Sequence, residues 1–210
     1  MKTLSFIFCF LFFVSCGKKN TTGSRGTNFS EPFVADAVIT NVVTTLNGVM
    51  VQGNLANFAI PVINVKNIYE SQNLIGVIYD ENGLRVKIYN AMGRQVYQTP
   101  GIVRVPLLNV GKDVASLEVL ESNGQSRVIA VNTSAQIIFD ISADAARGDA
   151  EHGVAVVTYR RGSSERALAM RANGEILFPD NRNYISPRFT LDPYVLILRD
   201  AQGVVGSIQL

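Results

Sequence analysis

The chain holds one histidine, His152, in the segment Asp149-Ala150-Glu151-His152-Gly153, with Ser163 and Ser164 close by in sequence. A histidine, a hydroxyl and a carboxylate are the parts of a nucleophile, base and orienter set. However, Gly162-Ser163-Ser164-Glu165 lacks the form of a nucleophile elbow. His152 among acids is therefore expected to be a solvated turn residue. Asp140, Asp144, Asp149 and Glu151 form the densest acidic run. Calcium gathers about six to eight oxygens, often from loops between β modules. The spacing fits no defined calcium loop and Arg147 interrupts it, so a solvated loop is expected and no metal. Arg147-Gly148-Asp149 is a tripeptide that integrins read when a loop presents it. The candidate site is thus one loop carrying Asp140, Asp144, Arg147, Gly148, Asp149, Glu151 and His152.

Two carboxylate pairs, Asp80-Glu81 and Glu118/Glu121, have the residue types of glycosidic acid–base chemistry. Both fall at expected hairpin ends, where acids ordinarily solvate a turn. No glycine-rich phosphate loop follows a strand and opens a helix. No cofactor is called for, no catalytic residue is assigned, and the chain is expected not to be an enzyme. The runner-up is an envelope hydrolase or glycan-processing enzyme with a loop-built site.

Charge narrows the partners. Among 210 residues, 19 are basic and 17 acidic, a formal net charge of +2. That excludes a strongly basic nucleic-acid binder. Residues 133–210 interleave Arg160, Arg161, Arg166, Arg171, Arg182, Arg188 and Arg199 with acids, leaving no net field for a polyanion. Arginine can grip a partner's carboxylates through two parallel hydrogen bonds. Cross-strand ion pairs on the solvent face are the expected use here.

The elements that must position these residues begin after a leader. Met1-Lys2 precedes Leu4–Ser15, a run rich in phenylalanine. Spanning a membrane takes roughly 20 apolar residues, so this run is too short and has signal-peptide length. Residues 17–32 are mostly Gly, Ser, Thr, Asn and Lys and are expected to be a flexible tether. Lys18, Lys19 and Arg25 could meet anionic head groups, though solubility alone accounts for them.

From Phe33 onward the pattern is β. Branched and aromatic residues come in short runs separated by Asn-Gly and similar turns. Hairpins are expected at Val42–Leu46 with Val49–Gln52, Leu74–Tyr79 with Leu84–Tyr89, and Leu117–Glu121 with Ser126–Val131. Two more join Ala155–Tyr159 to Arg166–Met170 and Tyr194–Arg199 to Val204–Leu210. Only Ser142–Arg147 could form a turn or two of helix. Gly93 and Gly124, then Gly174 and Gly203, repeat with shifts of about 80 residues. That spacing predicts a tandem duplication, with sandwiches over 33–132 and 133–210. One larger sandwich or barrel is the alternative.

Two resemblances add to this. Phe13-Val14-Ser15-Cys16 followed by Gly17-Lys18-Lys19-Asn20 resembles the lipobox of bacterial lipoproteins. The resemblance implies removal of residues 1–15 and lipidation of Cys16; a plain secretory peptide is the alternative. With Cys9 and Cys16 so used, no disulfide is left for the fold. Several acyl chains would make a stable membrane anchor. Gly17 carries no inner-membrane retention signal of the Asp type, so the outer membrane is the expected home. Val86–Val96 and Leu191–Gly203 are similar to immunoglobulin-like modules of bacterial secreted proteins, among them type IX sorting domains. From this comes the expected fold: all-β, tandem Ig-like antiparallel sandwiches. The expected function is a lipid-anchored envelope protein with a binding, adhesion or structural role. Its partners would be the membrane, through Cys16, and another envelope or surface protein, with no nucleic acid.

Overall fold

The computed structural model describes Asp36–Leu210 except Pro193. The signal peptide, Cys16 and the tether lie outside the described residues. Among the described residues, eighteen strands form five antiparallel sheets, each built from strands consecutive in the chain. The first sheet holds β1 (Ile39–Thr45), β2 (Gly48–Gly53) and β3 (Asn57–Pro61). The second holds β4 (Val65–Glu70), β5 (Leu74–Asp80), β6 (Leu84–Asn90) and β7 (Gln95–Gln98). The third holds β8 (Arg104–Val110), β9 (Val114–Leu120), β10 (Ser126–Asn132) and β11 (Ile137–Ala143). The fourth holds β12 (Ala145–Glu151), β13 (Val154–Arg161), β14 (Ser164–Arg171) and β15 (Ile176–Phe178). The fifth holds β16 (Arg188–Leu191), β17 (Val195–Asp200) and β18 (Gly203–Gln209).

The all-β antiparallel class stands, and all five expected hairpins are present. The tandem Ig-like arrangement does not match the pairing. An Ig-like sandwich needs sheets that join strands distant in sequence. Here every sheet is a meander in chain order. The expected boundary at 132/133 also falls inside one sheet, because β10 pairs with β11 across that turn. Asp36–Leu210 forms one compact unit.

Alternation explains the packing. In β5, Leu74 and Ile78 face the third sheet, while Ile75, Val77 and Tyr79 face the first. A strand buried on both faces reads as a continuous apolar run, as Leu74–Tyr79 does. In β9, Val114 faces the fourth sheet, and Ala115, Leu117 and Val119 face the second. The fourth and fifth sheets meet through Val154, Val156, Ala167 and Ala169 against Leu196 and Leu198. Each fully buried aliphatic side chain contributes about 1.5–3 kcal/mol. Sheet-on-sheet packing is therefore real, but it recurs four times along the chain.

The repeat is shorter than expected. The second strands of sheets two to five start at Leu74, Val114, Val154 and Val195, about 40 residues apart. Gly83, Gly124, Gly162 and Gly203 lie at the turn into the third strand, all with positive φ. Gly93, Ala135 and Gly174 lie at the turn into the fourth, again with positive φ. The 80-residue shift spans two such units. Ser142–Arg147 is not helical: it ends β11 and begins β12.

Candidate binding cleft

The expected site loop is mostly strand. Ala146 and Ala150 of β12 lie in the core shared with the third sheet. Gly148 points the same way, and a Cβ there would overlap Val128 Cγ1 and Ser116 Oγ. Gly111 backs onto the far end of the strand, where a Cβ would lie 2.6 Å from Glu151 Cα. The small residues Ala146, Gly148 and Ala150 thus let β12 lie across β9 and β10. The period of two then sends Arg147 and Asp149 to the opposite face, and both are exposed.

The edge of β12 at Gly148 is capped by side chains. Asn109 Nδ2 donates to the Gly148 carbonyl at 3.1 Å. Burial pushes the Glu118 carboxyl up, opposed by the Arg147 charge and by the Gly148 N–H hydrogen bond. Asp149 Oδ1 accepts the Ala150 N–H at 2.8 Å.

Across from Arg147 and Asp149 runs β16. Between them lies a cleft of about 490 Å³, lined by Arg147, Gly148, Asp149, Val156, Thr158, Pro187, Arg188, Phe189 and Leu191. A smaller cleft of about 230 Å³ shares Arg147, Thr158 and Pro187 and adds Arg160, Glu165 and Ser186. Glu165 is occupied, accepting the Ser186 N–H. Among the described residues no carboxylate lies within 4 Å of Arg147, Arg160 or Arg188, whereas Arg171 pairs with Glu175 at 3.1 Å. The expected cross-strand ion pairs are therefore not what these three arginines make.

The other expected site residues are dispersed. Asp140 sits on β11 in a two-point bond with Arg127, at 2.7 and 2.6 Å. That contact raises the Arg127 pKa further above its usual range. Asp144 links β11 to β12 and accepts the Gly162 N–H at 2.6 Å. His152 lies in the β12–β13 turn at φ 47°, its Nε2 3.1 Å from Glu151. Of the pairs considered earlier, Asp80 Oδ1 accepts the Gly83 N–H at 2.9 Å. Glu121 accepts the Ser142 hydroxyl at 2.8 Å. Arg147-Gly148-Asp149 is a paired strand and not a presented loop.

A third cleft, of about 590 Å³, lies between the β7–β8 connection and the β9–β10 hairpin. Its floor is Leu117, Val119 and Ile129, and its rim includes Tyr97, Arg104 and Arg127. Burial pushes the Tyr97 hydroxyl up, with the Arg127 charge opposing.

Residue reasoning named Arg147, Asp149, Arg160 and Arg188 separately. It missed Val156, Thr158, Pro187, Phe189 and Leu191 and the closeness of β12 to β16. The 40-residue spacing of strand starts is the signal that could have placed them together.

No protein-family model matches the chain, and no curated protein matches it. Among solved structures, apo AztD from Citrobacter koseri is similar with TM-score 0.38 and 13% identity, covering 83% of this chain and 56% of that one. The chain thus spans little more than half of that protein. The β-propeller domain of the Trilobed protease from Pyrococcus furiosus is similar with TM-score 0.42 and 11% identity, covering 81% and 71%. BamB from Moraxella catarrhalis is similar with TM-score 0.32 and 11% identity, covering 84% and 62%.

Proposed function

We propose that the protein is a lipid-anchored, non-catalytic binding module of the bacterial envelope, held through Cys16 on the outer membrane. The observation that carries the binding role is the pair Arg147 and Arg188. They are exposed side chains on rigid strands, lining one cleft with an apolar wall of Val156, Phe189 and Leu191. Such a surface suits recognition, with apolar contact supplying area and a few polar groups fixing orientation. The leader, Cys16 and the polar run to residue 32 support the anchor. The chain-order meanders at 40-residue spacing support reading the sheets as propeller-type blades.

The test is metabolic labelling with a fatty acid, followed by detergent-phase partition of wild type and Cys16→Ala. Label and detergent partition in the wild type, both lost in Cys16→Ala, are expected. Detergent partition that survives the substitution refutes the anchor.

A further inference from the structure

We propose that the cleft between β12 and β16 binds an extended acidic segment of a protein partner, with Arg147 and Arg188 holding its carboxylates. The proposal rests on the binding-module reading and adds the chemistry of the partner. An apolar side chain of the same segment lies on Val156, Phe189 and Leu191.

Three observations lead to this occupant. First, the acids beside the arginines are already engaged: Asp149 with the Ala150 N–H, Glu165 with the Ser186 N–H. Arg147 feels the half-buried Glu118, but neither Arg147 nor Arg188 has a carboxylate within 4 Å among the described residues, so both guanidinium groups can pair directly with an incoming anion. Guanidinium suits a carboxylate because two parallel N–H donors match two oxygens. Second, Asp149 shares the cleft, so a monoanionic carboxylate is favoured over a phosphate dianion. Third, the walls are strands held by buried cores, with Val156 buried and Phe189 and Leu191 partly buried. A cleft with one apolar wall fits a segment that alternates acidic and apolar side chains. Recognition runs through side chains rather than strand addition. The backbone of β12 is already capped at the Gly148 carbonyl by Asn109 and at the Ala150 N–H by Asp149.

The test uses the full lipidated chain in detergent. The probe is a fluorescein-labelled hexapeptide, Asp-Leu-Asp-Val-Asp-Leu, followed by anisotropy at low and moderate salt. Saturable binding that weakens with salt is expected, with an affinity about tenfold lower for the Asn-for-Asp peptide. Arg147→Gln and Arg188→Gln are each expected to weaken binding about tenfold. Arg182→Gln, whose guanidinium lies 5.0 Å from the Tyr184 ring outside the cleft, is expected to bind as wild type. Absent binding, equal binding of the Asn peptide, or loss in all three variants alike overturns the proposal. So does complete displacement of the peptide by free glutarate at the peptide's own concentration, which would make the ligand a small carboxylate. Detergent partition of Cys16→Ala is blind to the cleft, so the anchored-module reading stands or falls separately.

Discussion

The side-chain amide of Asn132 donates to the carbonyl oxygen of Ala172 at 2.9 Å, fastening the third sheet to the fourth. Asn90 does the same to Thr133 at 3.0 Å, fastening the second to the third. Each of these asparagines also folds its own turn through its Oδ1. Asn90 accepts from Met92 and Arg94, and Asn132 from Ser134 and Gln136. One residue type thus closes a hairpin and bolts it to the next sheet.

Asn132 is 6% exposed, so its removal strands several partners. Asn132→Ala is expected to cost about 2–3 kcal/mol, roughly 0.5–0.8 kcal/mol for each of its four side-chain bonds. For a domain of this size, that lowers Tm by roughly 5–10 °C. Asn132→Asp retains the Oδ1 acceptor but turns a buried anionic oxygen onto the Ala172 carbonyl, so it should cost at least as much as Asn132→Ala. Thermal unfolding followed by circular dichroism checks the order.

Close approach of β12 makes two glycines irreplaceable. Gly111→Ala and Gly148→Ala each force a Cβ into occupied space and should cost at least about 2 kcal/mol. Gly101 has nothing within 4 Å of its Cβ position, so Gly101→Ala should be near neutral. Urea midpoints of the three variants provide the comparison.

Ala135 holds φ 66° at the turn where its counterparts are Gly93 and Gly174. A left-handed conformation costs a non-glycine residue about 1–2 kcal/mol. Ala135→Gly should therefore raise stability by about 0.5–1 kcal/mol, after loss of a methyl that touches the core. Gly93→Ala should lower it by more, because Phe58 Cγ lies 2.9 Å from the added Cβ. Denaturant curves measure both.

Burial and the hydrogen bond to Asp180 push the Tyr159 hydroxyl up to about 12 from 10.0. The folded state keeps its proton longer than the unfolded chain. Stability from this group is thus complete below pH 10 and is lost as pH rises from 10 towards 12. The side chain is buried, so the loss should show as a steeper fall of stability across this pH range. Unfolding of wild type and Tyr159→Phe between pH 9 and 12 should show a shallower decline in the variant. Equal slopes would assign the decline to Tyr79, Tyr89 and Tyr97, which burial also raises.

Asp140, Asp144 and Asp149 each accept from a different donor, Arg127, Gly162 and Ala150. Millimolar calcium is therefore expected to leave Tm unchanged. A rise of several degrees would mean these acids regroup around the ion.

The hairpins were legible because Asn82-Gly83, Asn123-Gly124 and Gln202-Gly203 mark turns that need positive φ. What joins the hairpins was not. Gly93 and Gly124 belong to different turns of neighbouring sheets, and pairing them doubled the apparent period. Ala135 hid the third member of the Gly93 and Gly174 series, since alanine carries no turn signal. Ala143 and Ala146 favour helix by propensity, yet tertiary packing selects them for size where β12 crosses the third sheet. The cleft needed Arg188 beside Arg147, a proximity set by stacking and absent from local spacing.

The cores described join sheets that follow one another in the chain, through interfaces of one kind. A coding segment of about 40 residues, inserted or lost in frame between two sheets, would bring or remove one interface like those beside it.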